Sequence, residues 1–142
     1  MVDSGLIWYE HFAPWADELI LALAAPPHWL LELCTTQDSP SAARVLHEHA
    51  ASPPFESFDA DEQTDEYVAC LLLRYRRGEF SWATFLDEAG RKLDAANGRR
   101  ACEDIYSLLT ELRHREYSKE LERAQRTELE RAFLPALDYF DA

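Results

Sequence analysis

The sequence predicts an all-α fold: a single-domain, compact helical bundle of about six to seven helices. Three observations point there. No stretch alternates apolar and polar residues over the length of a useful strand. Glycine is scarce, four in 142 residues, and six of the seven prolines fall within the first 54. Elsewhere, apolar residues recur at helical spacing between capping residues and stop signals. The N-terminal third is therefore predicted as short proline-bounded helices, and the chain after residue 61 as longer ones. At this length one domain (1–142) is expected, with a short-helix layer over about 1–60 and a core bundle over about 61–142.

The elements follow in order. Pro14 suits the first turn of a helix reaching about Ala24, stopped by Pro26 and Pro27. Pro27 opens a second short helix through Trp29, Leu30, Leu31 and Leu33. Ser39 followed by Pro40 reads as an N-cap with proline at the first helical position, opening a third helix to about Ala51. Residues 52–60 read as a loop. A fourth helix is predicted over 61–77, with acids at its start, arginines at its end and Gly78 as its C-terminal stop, as the helix dipole favours. Its middle, 67–75, is apolar on nearly every face, which marks it as the central buried helix. Ser81 caps a fifth helix with Trp82, Phe85, Leu86, Ala89 and Leu93 on one stripe, closed by Asn97-Gly98. A sixth, over 100–114, carries Ile105, Leu108, Leu109 and Leu112. Ser118 caps a seventh, with Leu121, Leu129, Ala132 and Phe133 inward, which Pro135 bends or ends. No period of roughly 20 to 50 residues recurs, which argues against a solenoid.

Several function classes drop out early. The first residues carry an early acid and no basic segment, so no signal peptide is expected. The longest apolar run, 19–27, is far short of the roughly 20 residues that span a bilayer. Cys34, Cys70 and Cys102 are odd in number and widely spaced, reading as small buried hydrophobes in a reducing compartment. Cys102 is the candidate for reactivity, because Arg99 and Arg100 lie close by in sequence. A cytoplasmic protein is expected, without a membrane partner.

The charge is the most informative feature. Acids outnumber bases 27 to 14, a net of −13, which repels nucleic-acid backbones and anionic membranes. Residues 1–66 hold 13 acids and one base, Arg44, whereas residues 67–142 hold 14 acids and 13 bases. Nearly all the excess therefore lies in the first half. Within it, Glu56, Asp59, Asp61, Glu62, Asp65 and Glu66 place six carboxylates in eleven residues, with Phe55 and Phe58 between them. The plain reading is a solvated loop whose acids favour the start of the fourth helix. The sharper reading is a recognition patch, with acids steering a basic partner and the phenylalanines anchoring it. Trp8 and Tyr9, beside Glu10, extend that patch, or else Ile7 and Trp8 staple the first helix. In the second half, Glu122 with Arg126, Arg126 with Glu130, Glu120 with Arg123 and Glu128 with Arg131 have the spacing of intrahelical surface pairs. Arg91, Lys92, Arg99 and Arg100 bracket the Asn97-Gly98 turn as a small basic cluster.

Chemical motifs are thin. Asp59-x-Asp61-x-Gln63 begins like a calcium loop, but Thr64 and Cys70 stand where that loop needs glycine and a bidentate glutamate. His47 and His49 are two apart, which on a helix points them in different directions, whereas a helical metal pair needs a spacing of three or four. His11, His28 and His114 have no evident partner in the sequence. No serine sits in a nucleophile elbow. No catalytic residue, metal site or cofactor is expected.

These features lead to a small acidic interaction module that binds and neutralises a basic protein partner through Phe55, Glu56, Phe58, Asp59, Asp61, Glu62, Asp65 and Glu66. In size, charge and helical class it is similar to the immunity proteins that bacteria co-produce with nuclease or related toxins, and no motif carries that likeness. Charge complementarity would speed association, and a desolvated centre would slow release. Two alternatives stand beside it: a nucleic-acid mimic or adaptor and chaperone subunit, and a carboxylate-based enzyme of unrecognised type, with or without a metal. A homo-oligomer through the seventh helix is also left open.

Overall fold

The computed structural model describes residues 1–52, 60–96 and 101–141. Among them are eight α-helices, one 3₁₀ turn and no strand, so the class is all-α with more helices than the six or seven expected. By its internal contacts the chain divides into two units, Met1–Phe58 and Asp59–Ala142.

In the N-terminal unit a 3₁₀ turn, Tyr9–His11, leads into α1 (Phe12–Ala22), followed by α2 (His28–Cys34) and α3 (Ser39–Ala50). At α2 and α3 proline marks the start, one position away from where spacing alone puts it. Pro27 does not enter α2; it is extended, at φ −69° and ψ 152°, and its carbonyl accepts the first helical bonds from Leu30 and Leu31. The cap of α3 is Asp38 rather than Ser39: its carboxylate accepts from the Ser41 amide at 2.7 Å and the Ser41 hydroxyl at 3.0 Å. Asp is as good an N-cap as Ser, and Pro40 then falls in the first turn, where it gives up no bond. Ala16, Leu30, Leu33, Ala42 and Val45 form the buried core, lined by half-buried Phe12, Leu19 and Trp29. Across α3, His47 Nε2 meets the Asp3 carboxylate at 2.6 Å and ties the N-terminal segment to that helix.

The C-terminal unit holds α4 (Ala60–Arg76), α5 (Trp82–Ala96), α6 (Cys102–His114), α7 (Lys119–Ala132) and α8 (Leu134–Asp141). α4 is the central helix, as its composition implies: Val68, Ala69, Cys70, Leu71 and Leu72 are buried in succession, so every face meets protein. It stops at Gly78, whose φ of +75° is the left-handed stop that glycine adopts without strain. There Gly78 N–H donates to Tyr75 O, and Glu79 N–H donates to Arg74 O. α5 begins at Ser81, whose hydroxyl accepts from the Thr84 amide, and buries the expected stripe. α5 and α6 approach closely because Gly90 has no side chain; a Cβ there would stand 2.6 Å from the Tyr106 ring.

α7 is held differently. Only Gln125 and Leu129 of its fourteen residues are buried, and polar clamps supply the rest. Trp82 donates its indole N–H to Gln125 at 3.0 Å, and Gln125 donates to the Leu108 carbonyl at 3.0 Å. Tyr75 donates to Glu122 at 2.5 Å, and Arg76 donates to Glu130 at 3.0 Å. Two of the acids read from sequence as surface partners along α7 are thus engaged by α4. The eighth helix arises at Pro135. A continued α7 would drive the proline ring into the carbonyl four residues back, so the chain breaks at Phe133 and restarts with Pro135 in a new first turn.

Candidate functional site

Of the eight residues expected to bind a partner, Phe55, Glu56, Phe58 and Asp59 lie outside the described residues. Asp61, Glu62, Asp65 and Glu66 are on the first two turns of α4. Spacing of three and four puts Glu62, Asp65 and Glu66 on one side of the helix. That side lines a groove of about 430 Å³, whose other wall is Phe133, Pro135, Ala136 and Tyr139, at and beyond the start of α8. The α8 wall was not legible from the acidic cluster, because it depends on the break at Pro135. Tyr139, 67% exposed, packs its ring edge-on to Phe140 with centroids 5.4 Å apart. The groove thus pairs three carboxylates with an exposed aromatic ring.

Its electrostatics combine burial with a like charge close by. Burial pushes the Glu66 carboxyl above the usual glutamate range, and the Glu62 charge one turn away pushes it further. Asp61 and Glu62 occupy the first turn, where the helix N-terminus favours negative charge; Glu66 is a turn beyond most of that benefit.

No protein-family model, curated protein or solved structure matches this chain.

Asp61, Gln63 and Thr64 are helical, so the calcium-loop register has no loop to act through. His47 binds Asp3, while His49 stacks on Trp29 with centroids 4.1 Å apart, so the two imidazoles do diverge. His11 and His28 have local partners: the Trp8 carbonyl at 3.3 Å and the Glu32 carboxylate at 3.9 Å. Among the described residues, no group of three or more His, Cys, Asp or Glu side chains is arranged to hold a metal ion. Cys102 has acidic neighbours, Asp94 at 3.6 Å and Glu103 at 3.5 Å; desolvation and these carboxylates push its thiol up, away from the reactive thiolate. Arg99 and Arg100 lie outside the described residues. Arg91 pairs with Asp87 at 2.6 Å, and Lys92 sits over the Tyr67 ring at 4.5 Å. Trp8 is 62% exposed, while Tyr9 packs against the N-terminal core. No helix among the described residues is long and apolar enough to cross a membrane.

A second cleft, of about 410 Å³, lies beside α7 and is lined in part by Tyr75, Phe80, Trp82 and Tyr117. Its one carboxylate, Glu122, accepts from Tyr75 and from Lys119 at 3.0 Å. Burial raises the Tyr75 hydroxyl above its ordinary value and Glu122 raises it further, which keeps its proton in place for that bond. The cluster clamps α7; its polar groups are spent on one another.

Proposed function

We propose that this protein is an interaction module that binds a basic protein partner and neutralises it, in the manner of an immunity-type inhibitor of a toxin. The observation that carries the reading is the groove in which Glu62, Asp65 and Glu66 face Tyr139. Glu66, pushed up first by burial and then by the Glu62 charge, is costly to keep ionised in the isolated protein, and an incoming cation relieves that cost. Tyr139 offers such a cation an aromatic face, worth about 0.5–1 kcal/mol where exposed and more once desolvated. The partner's arginine or lysine side chains enter between α4 and α8, and the carboxylates steer their approach.

The test is capture from the source cell's lysate at low and moderately high salt, comparing the wild-type chain with a Glu62→Gln/Asp65→Asn/Glu66→Gln variant. The expected result is one basic protein, held stoichiometrically by the wild type at both salts and lost or weakened with the variant. Capture of a broad set that washes off with salt in both cases would reduce the groove to diffuse charge. An equal yield of the same protein with both chains would move the docking site elsewhere.

A further inference from the structure

Of the sequence's longest apolar run, residues 19–27, Leu19 and Ile20 pack against the N-terminal core and most of the rest turns outward. Residues 21–25 (Leu, Ala, Leu, Ala, Ala) are all exposed, with Leu21 at 88% and Leu23 at 45%. Isolated exposed leucines are ordinary, but five exposed apolar residues in succession mark a surface that something covers. On α1 the same surface continues toward the N-terminus. Trp15 is 44% exposed, and its ring lies 6.5 Å from Trp29, which in turn stacks on His49. Asp17 and Glu18, both exposed, sit one turn before Leu21, and Glu18 is also three residues from Trp15.

Charge says what kind of occupant fits. Over residues 1–52 there are seven acids (Asp3, Glu10, Asp17, Glu18, Glu32, Asp38 and Glu48) and one base, Arg44, a net of −6 with histidines neutral. That base is committed: Arg44 holds Glu32 at 2.7 Å and Glu48 at 3.0 Å. A second copy of the unit would bring like charge against like, and an anionic lipid surface would be repelled. We propose that the outward face of α1 and the segment after it, from Trp15 through Leu23, docks an amphipathic, Lys/Arg-bearing segment of a partner protein. Its apolar side chains cover Leu21 and Leu23, and its cations meet Asp17 and Glu18 and the face of Trp15. This surface rests on the reading of a basic partner, but it is a different surface from the α4–α8 groove.

The probe is a synthetic amphipathic Leu/Lys helical peptide, titrated into the full chain and followed by tryptophan fluorescence and calorimetry. Its controls are a Leu/Glu peptide of the same pattern and a Ser/Lys peptide of the same charge. We expect the Leu/Lys peptide alone to bind, Leu21→Ser/Leu23→Ser to weaken it about tenfold or more, and the Glu62→Gln/Asp65→Asn/Glu66→Gln variant to bind it as the wild type does. Both leucines are exposed and neither belongs to the buried core, so the helical circular dichroism of that double variant should be unchanged. Absence of Leu/Lys binding, equal binding of either control peptide, or indifference to the Leu21→Ser/Leu23→Ser change would each overturn the assignment. Loss of binding only in the groove variant would do so too, while leaving the basic-partner reading standing. Sedimentation of the chain alone closes the remaining route: a dimer that Leu21→Ser/Leu23→Ser dissolves would make the occupant a second copy and refute the proposal.

Discussion

The two units spend their apolar residues in opposite ways. In the C-terminal unit the large side chains go inward: Trp82, Phe85, Leu86, Phe133 and Leu137 join the α4 run in one buried cluster. In the N-terminal unit the fully buried cluster is built on two alanines, two leucines and a valine, while Trp8, Trp15, Leu21, Leu23 and Leu31 stay exposed. Scale explains part of this. A unit of 58 residues has too much surface for its volume to bury most of what its unfolded chain exposes. Placement explains the rest, since Ala16 and Ala42 take interior positions while leucines stand outside. Apolar side chains left outside a thin core are available to a partner, whereas the C-terminal unit commits most of its large side chains to its core and, among the described residues, leaves Tyr117, Leu134 and Tyr139 exposed.

The largest effects should come from emptying each core in turn. Phe85→Ala removes a fully buried ring from the first turn of α5 and should cost about 3–5 kcal/mol, read as a fall in the urea midpoint. Leu33→Ala should cost about 2–5 kcal/mol, but in a unit with far less to lose. The expected outcome is therefore partial. Helical circular dichroism should drop by the share of α1–α3, while amide protection in α4–α6 persists under native conditions. A single concerted loss of protection throughout the chain would break the comparison.

A smaller effect probes how α7 is held. Gln125→Leu leaves the Trp82 indole N–H buried without its acceptor, at a cost of about 1–3 kcal/mol despite the added apolar surface. Were burial alone holding α7, the same change would stabilise the protein. Glu116→Gly goes the other way. Glu116 and Tyr117 end α6 at φ 50° and 59°, a conformation that side chains with a Cβ resist, so glycine at 116 should raise stability by about 1 kcal/mol in the same urea titration. No comparable gain is expected in the N-terminal unit, whose described non-glycine residues have no positive φ.

How far these features were legible in the sequence depends on their range. Helical class, the buried middle of α4, the stripe of α5 and the caps at Ser81 and Ser118 follow from neighbours three and four residues apart, and the structure has them. Helix starts near proline slipped by one residue, because Asp38 and Ser39 are equally good caps and only the backbone chooses. The clamps of α7 could not be read, since Glu122 and Glu130 have plausible partners on their own helix and their cross-helix partners lie 47 and 54 residues away. The site was half legible. Its carboxylates announce themselves as a run, but the α8 wall with Tyr139 comes from a chain break, and the exposure of 21–25 inverts what an apolar run ordinarily means.

The last contrast sets one carboxylate from each unit side by side. Asp38 is held below its ordinary range by the Ser41 amide and hydroxyl, so it contributes stability at neutral pH that is lost as acid protonates it. Glu66 is pushed up by burial and by Glu62, so the sign reverses: the folded state favours its protonated form, and ionisation at neutral pH is a liability. Asp38→Asn should therefore lower the melting temperature at pH 7, and Glu66→Gln should raise it slightly. As the pH falls through the carboxylate range, both differences should shrink toward zero. A Glu66→Gln chain that melts lower than wild type at pH 7 would mean that Glu66 is favourably engaged in the folded protein. A chain that melts higher while binding a basic partner more weakly would show the charge kept at a cost to stability, as a docking residue is and a merely solvated one is not.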